Sequence, residues 1–210
     1  VVGAGAVGME FASVYARYGS RVTVVELLPR VLPVEDEEVS AEVERSFRKQ
    51  GIAIHAGTRV QKVEAGPEGV RVEALGPDGK ALALEAEVLL VAVGRRAVLE
   101  GLGLETVGLA PEGGRLPVDE VMRTRAPGVY AIGDLVPGPQ LAHVASAEGI
   151  LAVEHLAGLE PHPLDYGKSP SATYCHPEVA SVGLTEAAAR ERGYEVKVGK
   201  FPFAALGKAA

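Results

Sequence analysis

An α/β fold, built on a parallel sheet with a small antiparallel layer, is predicted by three observations. VVGAGAVGME places a glycine-rich turn between an apolar pair and a helical pattern. RVTVVE and EVLLVAVGRR are apolar runs that read as strands of a buried sheet. Between them, VRVEAL and KALALEA alternate in character and flank GPDG, where Asp78-Gly79 marks a tight hairpin.

Each residue of the turn has a physical task. Gly3, Gly5 and Gly8 form GxGxxG. Gly3 permits the tight turn, Gly5 lets a pyrophosphate approach the backbone, and Gly8 lets the helix pack closely. The helix starts near Ala6, so its free N–H groups and positive dipole end face the phosphates. Val7, Phe11, Val14, Tyr15 and Tyr18 supply its apolar positions, and Gly19 ends it. Val22, Val24 and Val25 then form a buried strand with Glu26 at its carboxyl end. A carboxylate there accepts from ribose hydroxyls and repels a 2′-phosphate, which predicts a Rossmann-like domain that binds NAD rather than NADP. Arg30 lies four residues too late to reverse that preference. A glycine-rich turn with no ligand explains the glycines poorly and Glu26 not at all.

Residues 35–50 read as a surface helix. Glu35 to Glu38 crowd its start and Arg45, Arg48 and Lys49 its end, matching the dipole. Val39, Val43 and Phe47 form its buried stripe, and Gly51 follows. The acidic run reads as a solvated helix start rather than a docking patch. Residues 58–86 are expected to form antiparallel strands. EVLLVAVGRR follows as a strand ending at Gly94, which falls in the same crevice as Gly3 to Gly8, because ligands sit beyond the carboxyl ends of strands. Residues 96–120 are irregular and hold a domain boundary. VYAIGD is expected as a short buried strand ending in Gly133-Asp134. Residues 144–157 form a helix broken slightly at Gly149, and Pro161, Pro163 and Pro170 mark a linker. SATYCHPEVASVGLT then reads as strand and turn, Glu186 to Arg192 as helix, and VKVGKFPF as strand.

Composition narrows the function classes. The chain has 210 residues, is 47% hydrophobic and 23% charged, and carries a net charge of −7. These values suit a globular protein and argue against a nucleic-acid surface. No apolar run reaches the roughly 20 residues that span a bilayer, and no signal peptide is visible. A single cysteine, Cys175, excludes an internal disulfide framework and suits a reducing compartment, so a cytoplasmic location is expected. Asn is absent and Arg outnumbers Lys, which fits a heat-adapted protein and equally a GC-rich genome. No spacing of His and Cys indicates a metal. His55, His155 and His162 read as surface or satisfied groups, His176 as a turn residue, and Cys175 as a small buried thiol. The chain opens two residues before Gly3, so most of the preceding strand is expected upstream, and the sequence reads as part of a longer protein.

VVGAGAVGMEFASVYARYGSRVTVVE, VAVGRR, TRAPGVYAIGD, QLAHVASAEG, YCHPEVASVG and VGKFPFAA occur in order along the whole chain. On these motifs the sequence resembles the pyridine nucleotide-disulfide oxidoreductases, a flavoprotein family. Among them it is most similar to the dihydrolipoamide dehydrogenases, on LAH…EG, HPEVA and KFPF. The resemblance implies an NAD-binding domain over residues 1–115, the C-terminal part of an FAD-binding domain over 116–168, and the start of an α+β dimerisation domain over 169–210. Gly3, Gly5 and Gly8, with Ala6 and Val7 at the helix start, would hold the NAD pyrophosphate, and Glu26 the adenosine ribose. Glu10 would lie near the nicotinamide and face a lysine beside the flavin, Val60 would line the adenine, and Gly94 would let the cofactor lie against the backbone. Asp134, after Gly133, would bind a hydroxyl of the FAD ribityl chain, and Gln140, Leu141, Ala142 and His143 would flank the flavin.

The same resemblance places the redox-active CxxxxC pair and the flavin domain's own GxGxxG upstream of Val1, and a His–Glu acid/base pair downstream of Ala210. No residue between them is expected to be catalytic. It implies a homodimer and a lipoyl-bearing acyltransferase of a 2-oxoacid dehydrogenase complex as partner. Two other readings stay open: a related reductase, such as mercuric reductase or a soluble transhydrogenase, and a non-catalytic NAD-binding module. Cys175 stands where the family often has Thr, and Ala97 replaces a frequent Pro.

Overall fold

Helix α1 (Ala6–Arg17) starts at Gly5, as the glycine spacing predicts, in a computed structural model that describes residues 1–208. The last two residues of the expected segment 169–210 lie outside the described residues. The buried face of α1 is Gly8, Met9, Ala12 and Ser13. The stripe of large apolar residues faces outward instead: Phe11 is 42% and Tyr18 82% exposed. Close packing explains this reversal. The helix packs inward through Met9 and the small residues Gly8, Ala12 and Ser13, which leaves the aromatic residues on the far side.

Strand β1 (Thr23–Val25) pairs in parallel with β2 (Ala53–His55), with Val24 opposite Ile54. Val2 bridges Val25 on one side and Val91 on the other, both in parallel. Between β1 and β2 lies α2 (Glu37–Lys49), which buries Ser40, Val43 and Phe47. Phe47 is fully buried in a core with Met9, Val24 and Ile54, so truncation to Ala costs about 3–5 kcal/mol. The antiparallel layer follows as β3 (Arg59–Gly66), β4 (Gly69–Leu75) and β5 (Ala81–Ala86), with a register shift between Val60 and Lys62.

Three expected strands are not ladders. Residues 87–94 form no ladder and pair only at the Val2–Val91 bridge, and Val88, Val91 and Val93 are exposed. VYAIGD makes a single bridge, Tyr130 to Arg123, then a 3₁₀ turn over Gly133–Leu135. VKVGKFPF forms no strand and leads into a 3₁₀ turn at Phe203–Ala205. Each has strand character in sequence, but too few neighbouring backbone groups lie alongside to form a ladder. Helix α3 (Ala142–Leu156) runs without a break through Gly149. A side chain there would sit 3.3 Å from the Ile132 Cδ1 atom, so the glycine serves packing rather than a kink.

Strands β6 (Ser171–Thr173) and β7 (Val179–Ser181) form an antiparallel pair, followed by α4 (Glu186–Glu191). Cys175 and Val179 join the core beneath α1 and α2. The acidic run before α2 is a docking surface for this segment, contrary to the solvated helix start that its composition predicts. Glu35 is buried and accepts from the Ser181 hydroxyl at 3.2 Å. Asp36 accepts from the Glu186 N–H at 2.8 Å, and Glu38 pairs with Lys200. Gln50 adds a donor to the His176 carbonyl at 2.7 Å.

Candidate functional site

The glycine turn is held from three sides. Val2 donates to the Leu90 carbonyl and accepts from Ala92, and the Gly3 N–H donates to Val25 O at 2.8 Å. Ala4 is clamped at both ends of its peptide: its N–H donates to Glu26 Oε2 at 2.5 Å, and its carbonyl accepts from Leu32 N–H at 2.8 Å. Gly3 has φ +100°, and a Cβ there would stand 2.4 Å from the Ala92 carbonyl oxygen. At Gly8 a Cβ would be 1.9 Å from Gly3 O, so this glycine seats the helix on the turn itself. Gly5 differs, since nothing lies within 4 Å of where its Cβ would be. No side chain caps α1. Its first N–H groups, at Ala6 and Val7, therefore face the open space above Gly5. That is the geometry an anionic diphosphate needs.

Glu26 sits at the end of β1 and is 8% exposed. Its second oxygen accepts from Leu28 N–H at 2.8 Å. A carboxylate has about four lone-pair sites, so acceptor capacity remains for a ribose. Thr58 N–H donates to the Glu26 carbonyl, which brings the start of β3 and Val60 to the same end of the sheet. The Arg30 guanidinium is turned to Glu37 and the Pro33 carbonyl. Leu32, buried with φ +43°, is a strained residue that the sequence reading missed. No sequence signal marks a left-handed leucine.

A second cluster gathers Gly133, Asp134 and Gln140 to His143. Asp134 is exposed, and among the described residues its carboxylate makes no hydrogen bond, whereas its carbonyl accepts from Arg115 at 3.1 Å. Gln140 Nε2 is buried without a partner, and such an orphaned donor is costly unless a ligand or water meets it. No side chain caps α3, whose first residues are Ala142 and His143. The His143 Nε2 atom contacts the Pro170 carbonyl at 2.9 Å. The unpaired donor, the free carboxylate and the uncapped helix start fit a polar cofactor with hydroxyl and carbonyl groups. Arg95, next to Gly94, reaches the Gln140 carbonyl at 3.5 Å and links the two clusters.

Other side chains near these clusters have partners of their own. Glu10 Oε1 accepts from the Tyr174 N–H at 2.8 Å. Cys175 is buried, its thiol donates to the Pro177 carbonyl, and burial pushes its pKa up to about 11. Glu148, also missed, is 1% exposed and holds the Gly133 N–H at 2.6 Å and the Tyr166 hydroxyl at 2.8 Å. Its periodicity could have revealed it, because Val144, Leu151 and Ala152 flank it on one helical face. Among the described residues no group of three His, Cys, Asp or Glu is placed to hold a metal ion. No described helix is long and apolar enough to cross a membrane.

Known proteins resemble the whole of this chain. Dihydrolipoyl dehydrogenase from Chlorobaculum tepidum is 50% identical over 209 residues, which cover 100% of this chain and 45% of that protein. Its counterpart from Bacillus subtilis is 46% identical over 211 residues, covering 100% of the chain and 44% of that protein. The chain thus spans less than half the length of the curated relatives it matches. Among solved structures, LpdA from Mycobacterium tuberculosis superposes with a TM-score of 0.80 at 33% identity, over 91% of this chain and 41% of that one. The HOCl-induced flavoprotein disulfide reductase RclA from Escherichia coli gives 0.88 at 29% identity, over 99% and 47%. The pyridine nucleotide-disulphide oxidoreductase family model matches residues 1–149, and the model of that family's dimerisation domain matches residues 169–210. With these two matches covering most of its length, the chain belongs to the pyridine nucleotide-disulphide oxidoreductases.

Proposed function

We propose that the protein to which this chain belongs is an FAD-dependent dihydrolipoamide dehydrogenase, oxidising dihydrolipoamide and reducing NAD⁺. The observation that carries the reading is the pairing, in one chain, of an open pyrophosphate cradle at Gly5 with the Asp134–Gln140 cluster, joined through Arg95. FAD and NAD supply the electron and hydride chemistry when bound. The residues here bind and orient them. Gly3, Gly5, Gly8 and the N–H groups at Ala6 and Val7 take the NAD pyrophosphate, Glu26 the ribose, and Val60 and Gly94 the walls of that crevice. Glu10 lies toward the nicotinamide. Asp134 takes a ribityl hydroxyl, and Gln140 to His143 the flavin edge. Glu26 and the diverted Arg30 favour NAD over NADP.

On this reading residues 1–115 form the NAD domain, 116–168 part of the FAD domain and 169–210 the start of a dimerisation domain. The protein is a cytoplasmic homodimer that serves a lipoyl-bearing acyltransferase. Purified full-length protein tests the proposal. Bound FAD and NAD⁺ reduction by dihydrolipoamide are expected. Bound FAD with NADH oxidation but no turnover of dihydrolipoamide would redirect the assignment to a reductase of another disulfide or acceptor. NADH binding without flavin would leave only a nucleotide-binding module.

A further inference from the structure

Glu148 is a carboxylate 1% exposed inside a helix whose neighbouring buried residues are apolar. Burial of such a group is costly unless its oxygens are engaged, and here both are. Oε2 accepts the Gly133 N–H at 2.6 Å and Oε1 accepts the Tyr166 hydroxyl at 2.8 Å. The Gly133 N–H begins the 3₁₀ turn that carries Asp134, and Gly133 has φ +71°, a conformation few residues adopt. Gly138, on the return from that turn, packs against Tyr166 and Glu148, with 3.5 Å from its would-be Cβ to the Tyr166 ring. Tyr166 itself lies in the 3₁₀ turn Tyr166–Lys168, just before β6.

We propose that Glu148 is a positioning residue for flavin binding: its carboxylate, braced by Tyr166, fixes the Gly133–Asp134 turn so that the Asp134 side chain meets the cofactor. The inference rests on the flavin reading given above. Glu148 touches no cofactor, and its effect passes through the Gly133 amide. Through Tyr166 it also ties the flavin-side turn to the segment that enters β6.

The test measures FAD and NADH affinity in the full-length holoprotein for Glu148→Met, Glu148→Gln and Tyr166→Phe. Met matches the length of Glu but accepts no strong hydrogen bond, so FAD affinity falls by about tenfold or more, the value of one charge-assisted hydrogen bond. NADH affinity at the glycine turn stays within about twofold, because additivity holds for distant sites. Gln restores FAD binding to within about threefold, because its single carbonyl can accept from Gly133 while its amide donates to the Tyr166 oxygen. Tyr166→Phe keeps the Gly133 bond and weakens FAD binding by about threefold; it carries the test alone if Glu148→Met does not fold. Unchanged FAD affinity in Glu148→Met, or in Tyr166→Phe where that variant stands alone, overturns the inference and leaves the proposed function standing. Equal losses of FAD and NADH affinity overturn it too, as the mark of a merely structural role. Wild-type protein that holds no FAD overturns the functional reading and the inference with it.

Discussion

Glu10, in the second turn of α1, accepts a hydrogen bond at 2.8 Å from the backbone N–H of Tyr174, a residue 164 positions later. The helix that begins at the glycine turn is therefore pinned by its next turn to the segment holding β6. Cys175, the neighbour of Tyr174, sits in the core beneath the same helix. Glu10→Ala removes the acceptor while leaving α1 propensity intact, and it is expected to cost about 1 kcal/mol. Amide hydrogen exchange checks this, since the Tyr174 N–H should exchange faster while protection inside α1 is unchanged. Unaltered exchange at Tyr174 would show that the bond does not hold the segment.

Gly5 and Gly8 separate binding from folding. At Gly8 an added methyl meets the Gly3 carbonyl at 1.9 Å, and backbone must move. Gly8→Ala is expected to destabilise by about 3 kcal/mol or more. Gly5 has φ −71° and empty space around its would-be Cβ. Gly5→Ala should cost about 1 kcal/mol or less, yet weaken NADH binding by about a hundredfold, since the methyl displaces a diphosphate from the helix N–H groups. Urea unfolding and NADH titration on both variants check the pair. Equal binding by Gly5→Ala and wild type would remove the pyrophosphate from this turn.

Alkaline pH should weaken the fold through one buried and one partly buried acid. Burial pushes the Cys175 thiol from 9.0 up to about 11. Burial, and then the Glu148 carboxylate beside it, push the Tyr166 phenol from 10.0 up to about 12. The unfolded chain thus loses each proton first as pH rises. Their contribution to stability is whole below about pH 9 and declines between about pH 9 and 12. Urea midpoints across that range should fall, and Cys175→Ser should flatten the lower part of the decline. A midpoint that is level from pH 9 to 11 would contradict the assignment.

The parts of this fold that were legible in sequence are local ones. The turn from Gly3 to Gly8, helix α2 and the hairpin at Asp78-Gly79 each depend on residues a few positions apart, and each formed as its pattern predicts. What composition hid depends on partners far along the chain. Glu35, Asp36 and Glu38 look like a solvated helix start because Ser181, Glu186 and Lys200, which they bind, lie some 150 residues away. The outward stripe of α1 was hidden for a related reason, as apolar periodicity shows where large residues lie and not which face a sheet will accept. At the candidate site, the carboxylate of Glu26 could be placed from its spacing. The clamp from Leu32 could not, since its positive φ is set by the surrounding core.

Glu26 carries two tasks that a specificity redesign cannot separate. Its oxygens hold the Ala4 and Leu28 N–H groups, and Ala4 is the residue between the first two glycines of the turn. Replacing Glu26 with Ser removes the charge that repels a 2′-phosphate, but it also leaves the Ala4 N–H without its acceptor. A buried donor left unpaired costs about 1–3 kcal/mol. Arg30, four residues further along, cannot turn to a 2′-phosphate without giving up Glu37 and the Pro33 carbonyl. Glu26→Ser is therefore expected to lose NADH affinity and stability together and to gain little for NADPH. Titrations with both nucleotides, alongside urea unfolding, decide it. Tight NADPH binding with an unshifted urea midpoint would mean that Glu26 serves the ribose alone and that the turn is held by Leu32 and the Val25 carbonyl without it.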